Sequence, residues 1–140
     1  MKNLKITNDF PTNEELNTLF KKVKFPRARK EEYEDYLKET CYSVAVRDNE
    51  NLVGMAYVTN PTFPDGPYMI YAVAVDPDYQ RKGIGSKMIS NILDWYNNLP
   101  KSKPNLSLYC DLEVSPFYMN FGFIHESLFQ MVYHEWALEL

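Results

Sequence analysis

The chain has 140 residues and a mass of 16.5 kDa, the size of one ordinary domain, since single cores usually run ~100–200 residues. Its 45% hydrophobic and 24% charged content excludes a disordered or fibrous chain. A net charge of −4 offers no field to draw nucleic acid, and the longest apolar run, Tyr68 to Val75, falls far short of the ~20 residues of a membrane-spanning helix.

Lys2 to Thr7 alternates polar and apolar residues and reads as a first strand. Thr12 and Glu15 form a capping box, followed by Leu16, Leu19, Phe20 and Val23 at helical spacing, a helix that Pro26 ends. Arg27 to Glu39 reads as a second helix with a heavily charged surface and Tyr33, Tyr36 and Leu37 on an inner face. From Cys41 the period becomes two: Tyr42, Val44 and Val46, a turn at residues 48–51, then Leu52 to Val58, a hairpin. The proline-rich stretch Asn60 to Pro67 is a loop. Tyr68 to Val75 is almost wholly apolar and reads as a central strand covered on both faces. Gly83 opens a helix with an apolar stripe of Ile84, Met88, Ile92 and Tyr96, stopped by Pro100. Leu106 to Leu112 is another strand, with Cys110 as a buried member. Ser115 as cap, Pro116 at the first helical position and Gly122 at the end mark a short helix. Leu128 to Trp136 is final strand material. Hairpins around one strand–helix–strand crossover imply an α/β (α+β) domain, a mixed sheet with helices on its faces, over residues 1–140.

Only five glycines occur, so those used are expected where the backbone demands them. Gly83 and Gly85 stand where a buried strand, an Asp76-Pro77 exit and a helix N-terminus meet. Such a terminus exposes unpaired N–H groups and partial positive charge, which suits phosphate. Arg81, Lys82 and Lys87 add local charge. The spacing is not that of a Walker A loop, and Met88 stands where a dinucleotide fingerprint needs its third glycine. An ordinary strand-to-helix turn therefore stays open on the glycines alone.

Gln80-Arg81-Lys82-Gly83-Ile84-Gly85 resembles the Gln/Arg-x-x-Gly-x-Gly/Ala motif of the GNAT superfamily of N-acetyltransferases. Further on, Phe117-Tyr118-Met119-Asn120-Phe121-Gly122-Phe123 resembles its second motif, Phe-Tyr-x-x-x-Gly-Phe. The resemblance covers roughly residues 2 to 136. It implies a twisted, mostly antiparallel sheet whose central strands splay to hold acetyl-CoA as co-substrate, with no metal. Val73, Ala74 and Val75 would line the pantetheine arm, chiefly through the backbone groups of Val73 and Val75. A backbone N–H of that strand would polarise the thioester carbonyl. Main-chain N–H groups of Gln80, Arg81, Lys82, Gly83, Ile84, Gly85 and Ser86 would wrap the pyrophosphate. Tyr118 matches the tyrosine that reaches the thioester sulfur.

The expected reaction moves an acetyl group to a primary amine of a small molecule or peptide by direct attack, in a cytoplasmic protein of a family often found as homodimers. The start of the chain has no apolar signal segment, and Cys41 and Cys110 form no CxxC pair, which fits that compartment. The alternative is a non-catalytic acyl-CoA-binding or regulatory module of the same fold; a nucleotide-binding domain is a second. Asp111 stands where many members carry Asn, and Tyr68 and Tyr71 occupy the strand where many carry a carboxylate base. The base is unassigned among Asp65, Asp111, Glu113 and His134. The first two helices are where acceptor selectivity is expected.

Overall fold

The computed structural model describes residues 3–126 and 135–139. They fall into two compact units, Met1–Tyr109 and Cys110–Leu140, each taken by itself.

The first unit holds a five-stranded sheet in the order β1-β2-β3-β4-β5. Its strands are β1 (Leu4–Thr7), β2 (Thr40–Asp48), β3 (Asn51–Thr59), β4 (Tyr68–Val75) and β5 (Leu106–Leu108). Every pairing is antiparallel except β4 with β5, which is parallel. Helices α1 (Asn13–Lys22) and α2 (Lys30–Glu39) precede β2, and α3 (Ile84–Asn97) is the crossover between β4 and β5.

The capping box is present: Glu15 N–H donates to Thr12 Oγ1 at 3.2 Å, and Thr12 N–H to Glu15 Oε1 at 3.0 Å. The helix stops at Lys22, before Pro26, because Val23 caps it and Lys24 turns to a φ of +63°. The second helix starts at Lys30 rather than Arg27. Ala28 is instead held by Asn17, whose side chain accepts its N–H at 2.8 Å and donates to its carbonyl at 3.0 Å. Leu16, Leu19 and Phe20 bury against Ala45, Met55, Tyr57 and Ala74. Tyr33 and Tyr36 pack on the rim of that cluster. Leu37, expected beside them, is 46% exposed, because residue 37 follows Tyr36 by ~100° around the helix and faces away.

On the other face, α3 buries Ile84, Met88, Ile89 and Ile92. Glycine at position 54 sets how closely it lies. A Cβ there would come within 3.1 Å of both Ile84 Cγ2 and Met88 Sδ. Farther along, Tyr42 stacks on Trp95 with centroids 4.8 Å apart, and its hydroxyl donates to Asn91.

The fully covered strand is β3, buried from Leu52 to Thr59, rather than β4. β5 pairs with β4 only at residues 68–70, so among the described residues the far half of β4 has no neighbour on that side, and Tyr71 is 41% exposed. For the same reason Cys110 is exposed and outside any strand. The chain leaves the sheet at Leu108, and Tyr109 is 82% exposed.

In the second unit, Leu112–Val114 form a 3-10 turn leading into α4 (Ser115–Met119). Ser115 does not cap this helix. It is its first residue, and its hydroxyl donates to Leu112 O at 2.8 Å. Gly122 has the expected left-handed backbone, φ +96°. Of the expected final strand, residues 127–134 lie outside the described residues, His134 among them. Glu135–Glu139 form a 3-10 helix, as Ala, Leu and Glu favour helical over extended backbone.

Arg47 links β2 to the start of the chain. It donates to Asp9 Oδ2 at 2.8 Å and to Glu15 Oε2 at 2.9 Å. These bonds hold the Asp9 carboxyl down at about 2 and lower that of Glu15 as well. Both acids are thus more acidic folded than unfolded. Their stabilisation is complete above pH ~4.5 and is lost as pH falls toward ~2. Arg47→Met should therefore flatten the decline in stability across that window, as denaturant melts at stepped pH would read. Parallel curves for the two proteins would remove the cluster from the acid response.

Candidate functional site

The exit from β4 is built on one buried carboxylate. Asp76 is 3% exposed, and its Oδ1 accepts the Asp78 N–H at 2.9 Å, closing an Asx turn around Pro77. Its Oδ2 takes Lys22 Nζ from α1 at 3.0 Å. Its own N–H donates to Val53 O at 2.8 Å. Pro77–Tyr79 then make a 3-10 turn, and the Tyr79 hydroxyl donates to Asp48 Oδ2 at 2.6 Å. The loop is therefore tied to α1, to β3 and to the end of β2.

Beyond Tyr79 the backbone turns twice to positive φ, +63° at Arg81 and +82° at Gly83. Left-handed residues next to right-handed ones are the backbone pattern from which anion-binding nests of N–H groups are made. A Cβ built at Gly83 meets nothing within 4 Å, so the space over the loop is open. Gly83 then caps α3 with no side-chain hydrogen bond, and no acidic residue lies in its first turn. The contrast with α1 and α2 is direct. Both carry a capping box and two glutamates in the first turn. At α3 the positive helix end faces exposed Arg81, Lys82 and Lys87, an arrangement of like sign that a bound anion would relieve. Ile84 is buried in the core, so it offers the loop only its backbone; Gly85 is partly exposed and Ser86 exposed.

The open edge of β4 runs up to this loop. Val75 stands opposite Gly54, and the adjoining bond joins Asp76 N–H to Val53 O. Val75 is thus in a non-hydrogen-bonded position, and its own N–H and C=O face away from β3. Val73 shares that edge by the two-residue period, whereas Ala74, opposite Met55, turns its backbone to β3 and its side chain into the core. One carbonyl of the edge is already used: Gln80 Nε2 donates to Val75 O at 3.0 Å. At its start, the register slips between Met55 and Tyr57, and Ala72 takes a φ of +54°. This is a β-bulge, which re-aims a strand and tends to lie beside functional sites.

In the second unit, Tyr118 is 9% exposed, with its ring edge-on to Phe117 at 5.0 Å and to Phe123 at 6.0 Å. Gly122 turns the chain so that Phe123 N–H returns to Tyr118 O. The Tyr118 hydroxyl has no hydrogen-bond partner among the described residues. Burial first, then the neighbouring Cys110, pushes its pKa above the ordinary tyrosine value.

A family model for the acetyltransferase (GNAT) family matches residues 10–123, more than three-quarters of the chain and both motifs. This chain belongs to the GNAT acetyltransferase family. A probable acetyltransferase of Staphylococcus aureus superposes with a TM-score of 0.79 at 25% identity, covering 94% of this chain and 98% of that one. Glucosamine-6-phosphate N-acetyltransferase of Arabidopsis thaliana shares the fold, with a TM-score of 0.70, 16% identity and coverage of 94% and 99%. The chloroplastic GCN5-related N-acetyltransferase 2 of Arabidopsis thaliana is 32% identical over 77 residues, 55% of this chain and 28% of that protein. A histone acetyltransferase of Glycine max is 33% identical over 76 residues, 54% and 31%. The chain thus spans under a third of the length of these curated relatives.

Of the other acid–base candidates in this GNAT chain, Asp65, Asp111 and Glu113 are exposed, and His134 lies outside the described residues. Tyr68 packs edge-on against Trp95 and Tyr96. Among the described residues no cluster of His, Cys, Asp or Glu could hold a metal, and no helix is long and apolar enough to cross a membrane. The sequence reading missed Lys22, the bulge at Ala72 and the inward turn of Gln80. Only the Asp76-Pro77 pair carried a local signal, that of an Asx turn.

Asp76→Ala should cost about 1–3 kcal/mol, since it strips the turn of its acceptor and leaves the Lys22 ammonium without its carboxylate. Asp76→Asn should cost less, because an amide oxygen still accepts from Asp78. Equal losses in chemical denaturation would shift the weight from the turn to the Lys22 ion pair.

Proposed function

We propose that this chain is an acetyl-CoA-dependent N-acetyltransferase, which transfers an acetyl group to a primary amine of a small molecule or peptide by direct attack in a ternary complex. The observation that carries it is the uncapped, cation-flanked N-terminus of α3 at the end of an unpaired strand edge, in a chain of the GNAT family.

Acetyl-CoA supplies the acetyl group as a thioester. Val73 and Val75 would hold its pantetheine arm through backbone groups along the open edge, as an added strand would be held. N–H groups from Arg81 to Ser86 would take the pyrophosphate, with Arg81, Lys82 and Lys87 adding long-range attraction. A backbone N–H at the bulge would polarise the thioester carbonyl. The acceptor amine, at pKa ~10.4 mostly protonated at neutral pH, sheds a proton to solvent before its nitrogen bonds to the acetyl carbon. The carbon–sulfur bond breaks and the nitrogen gives its second proton to solvent, so the products are a neutral amide and a thiolate. The thiolate, which then takes a proton from solvent, needs a hydrogen-bond donor as it forms. Tyr118 is assigned that role from its place in the second motif. A raised pKa keeps its proton on at neutral pH, and no competing bond occupies its hydroxyl. The thiol's ~8.5 lies below even an ordinary tyrosine, so Tyr118 acts as a hydrogen-bond donor to the departing sulfur more than by full transfer.

Gly83→Ala tests the phosphate cradle. The added Cβ meets no atom of the chain, so apart from about 1–2 kcal/mol of left-handed strain its effect falls on the ligand. Calorimetry should show acetyl-CoA affinity falling about ten-fold or more, the loss of one or two charge-assisted bonds. Wild-type affinity in the folded variant would displace the pyrophosphate from this loop.

Tyr118→Phe tests the donor. Stability and acetyl-CoA affinity should change little, while kcat and kcat/KM fall together by roughly 10²–10⁴-fold. Undiminished turnover, in a protein that shows no pre-steady-state burst, would retire Tyr118 from the chemistry.

A further inference from the structure

Among the aromatic residues on the α1–α2 side of the first unit, three differ from the rest. Tyr36 of α2, Tyr57 of β3 and Tyr71 of β4 form one continuous row of rings, exposed at Tyr71, half-buried at Tyr36 and buried at Tyr57, with ring centroids 5.7 Å apart for Tyr36–Tyr57 and 5.9 Å for Tyr57–Tyr71, tilted by only 32° and 36°. Several tyrosines elsewhere in the unit spend their hydroxyls within the chain. Tyr33 donates to Pro11 O at 2.6 Å, Tyr79 to Asp48 and Tyr96 to Pro104 O at 2.7 Å. Tyr36, Tyr57 and Tyr71 have no such bond among the described residues. Tyr57 is 6% exposed, yet no enclosed side-chain oxygen lacks a partner. Its ring is therefore buried while its hydroxyl reaches open space.

The local field has a definite sign. Burial raises the Tyr57 pKa, and Tyr36, Tyr71 and Glu39 raise it further. Burial, Glu32 and Glu39 raise that of Tyr36. Helix α2 carries Glu31, Glu32, Glu34, Asp35 and Glu39 against Lys30 and Lys38. A π surface in a negative field, with free hydroxyl acceptors, suits an organic cation and repels an anion. Its position is also specific. Tyr71 immediately precedes the bulged Ala72, which packs on the same cluster, so the patch ends where the open edge of β4 begins.

We infer that Tyr36, Tyr57 and Tyr71, with Glu39, are the acceptor platform and select a primary amine bearing a second positive charge. This rests on the acetyltransferase reading, which places the acyl group at the bulge. The second charge lies over the rings near Glu39, leaving the first amine to reach the thioester. The same field disfavours amines that carry a carboxylate or a phosphate.

The test uses three amines of matched chain length at saturating acetyl-CoA: the diamine cadaverine, pentylamine and the amino acid δ-aminovalerate. Cadaverine should exceed pentylamine in kcat/KM by roughly ten-fold, in the range of a partly desolvated cation–π contact, with δ-aminovalerate lowest. Tyr71→Leu, at an exposed ring, should raise KM for cadaverine toward that of pentylamine with KM for acetyl-CoA unchanged. Glu39→Gln, on an exposed helix end, should do the same to a smaller degree and guards against a folding defect in the first variant. Calorimetric binding of cadaverine to the CoA-loaded protein should weaken in parallel. Equal use of the three amines, or a diamine preference that survives both substitutions, overturns the platform while leaving the acetyltransferase reading intact. Failure to bind acetyl-CoA at all overturns that reading and the platform with it.

Discussion

Asp76 is the one charged residue that is fully buried among the described residues, and a buried carboxylate persists only when its charge and lone pairs are answered. Here Lys22 answers the charge and Asp78 N–H a lone pair. Because those partners come from α1 and from the turn itself, satisfying one side chain fixes both the end of the sheet and the first residues after it. The positive-φ residues at 81 and 83, the open side of the loop and the uncapped start of α3 all follow from where that turn releases the chain. The geometry of the loop is thus set one turn before its left-handed residues.

The two ends of β4 do opposite work. Its first three residues are an ordinary parallel ladder with β5. The bulge at Ala72 then shifts the strand, so that the side chain on the α1–α2 face changes from Tyr71 to Ala74, three residues on instead of two. A large ring before the bulge and a methyl after it put aromatic surface at one place and bare backbone at the next. In the proposed reaction these are the places for the acceptor and for the thioester arm.

Much of this was legible in the sequence because it rests on local rules. The capping box at Thr12, the period of two from Tyr42, the stripe of Ile84, Met88 and Ile92 and the left-handed Gly122 each declare themselves within a few residues. The turn into α3 was legible for the same reason, since two glycines, a helix start and an Asp-Pro exit are adjacent in the chain. What stayed hidden depends on neighbours far away in sequence. Whether β4 or β3 is the covered strand is decided by how soon β5 ends. Exposure of Cys110 follows from the early end of β5, which no local pattern encodes, whereas that of Leu37 lies in the ~100° step of the helix. A bulge has no residue code either: Ala72 is an unremarkable residue in an apolar run. The aromatic surface joins residues 36, 57 and 71, and only the register of β3 with β4 brings the last two side by side.

An unpaired strand edge is ordinarily a hazard, because it is a template on which another chain can add a strand and start aggregation. In this protein the exposed part of β4 is only residues 71–75, about 16 Å at ~3.3 Å per residue. β5 closes it at one end, and Gln80 takes a carbonyl at the other. Bulged backbone also spoils the straight register that an incoming strand needs. Among the described residues the gap is short and its backbone bulged, so this unpaired edge need not carry the usual penalty in solubility.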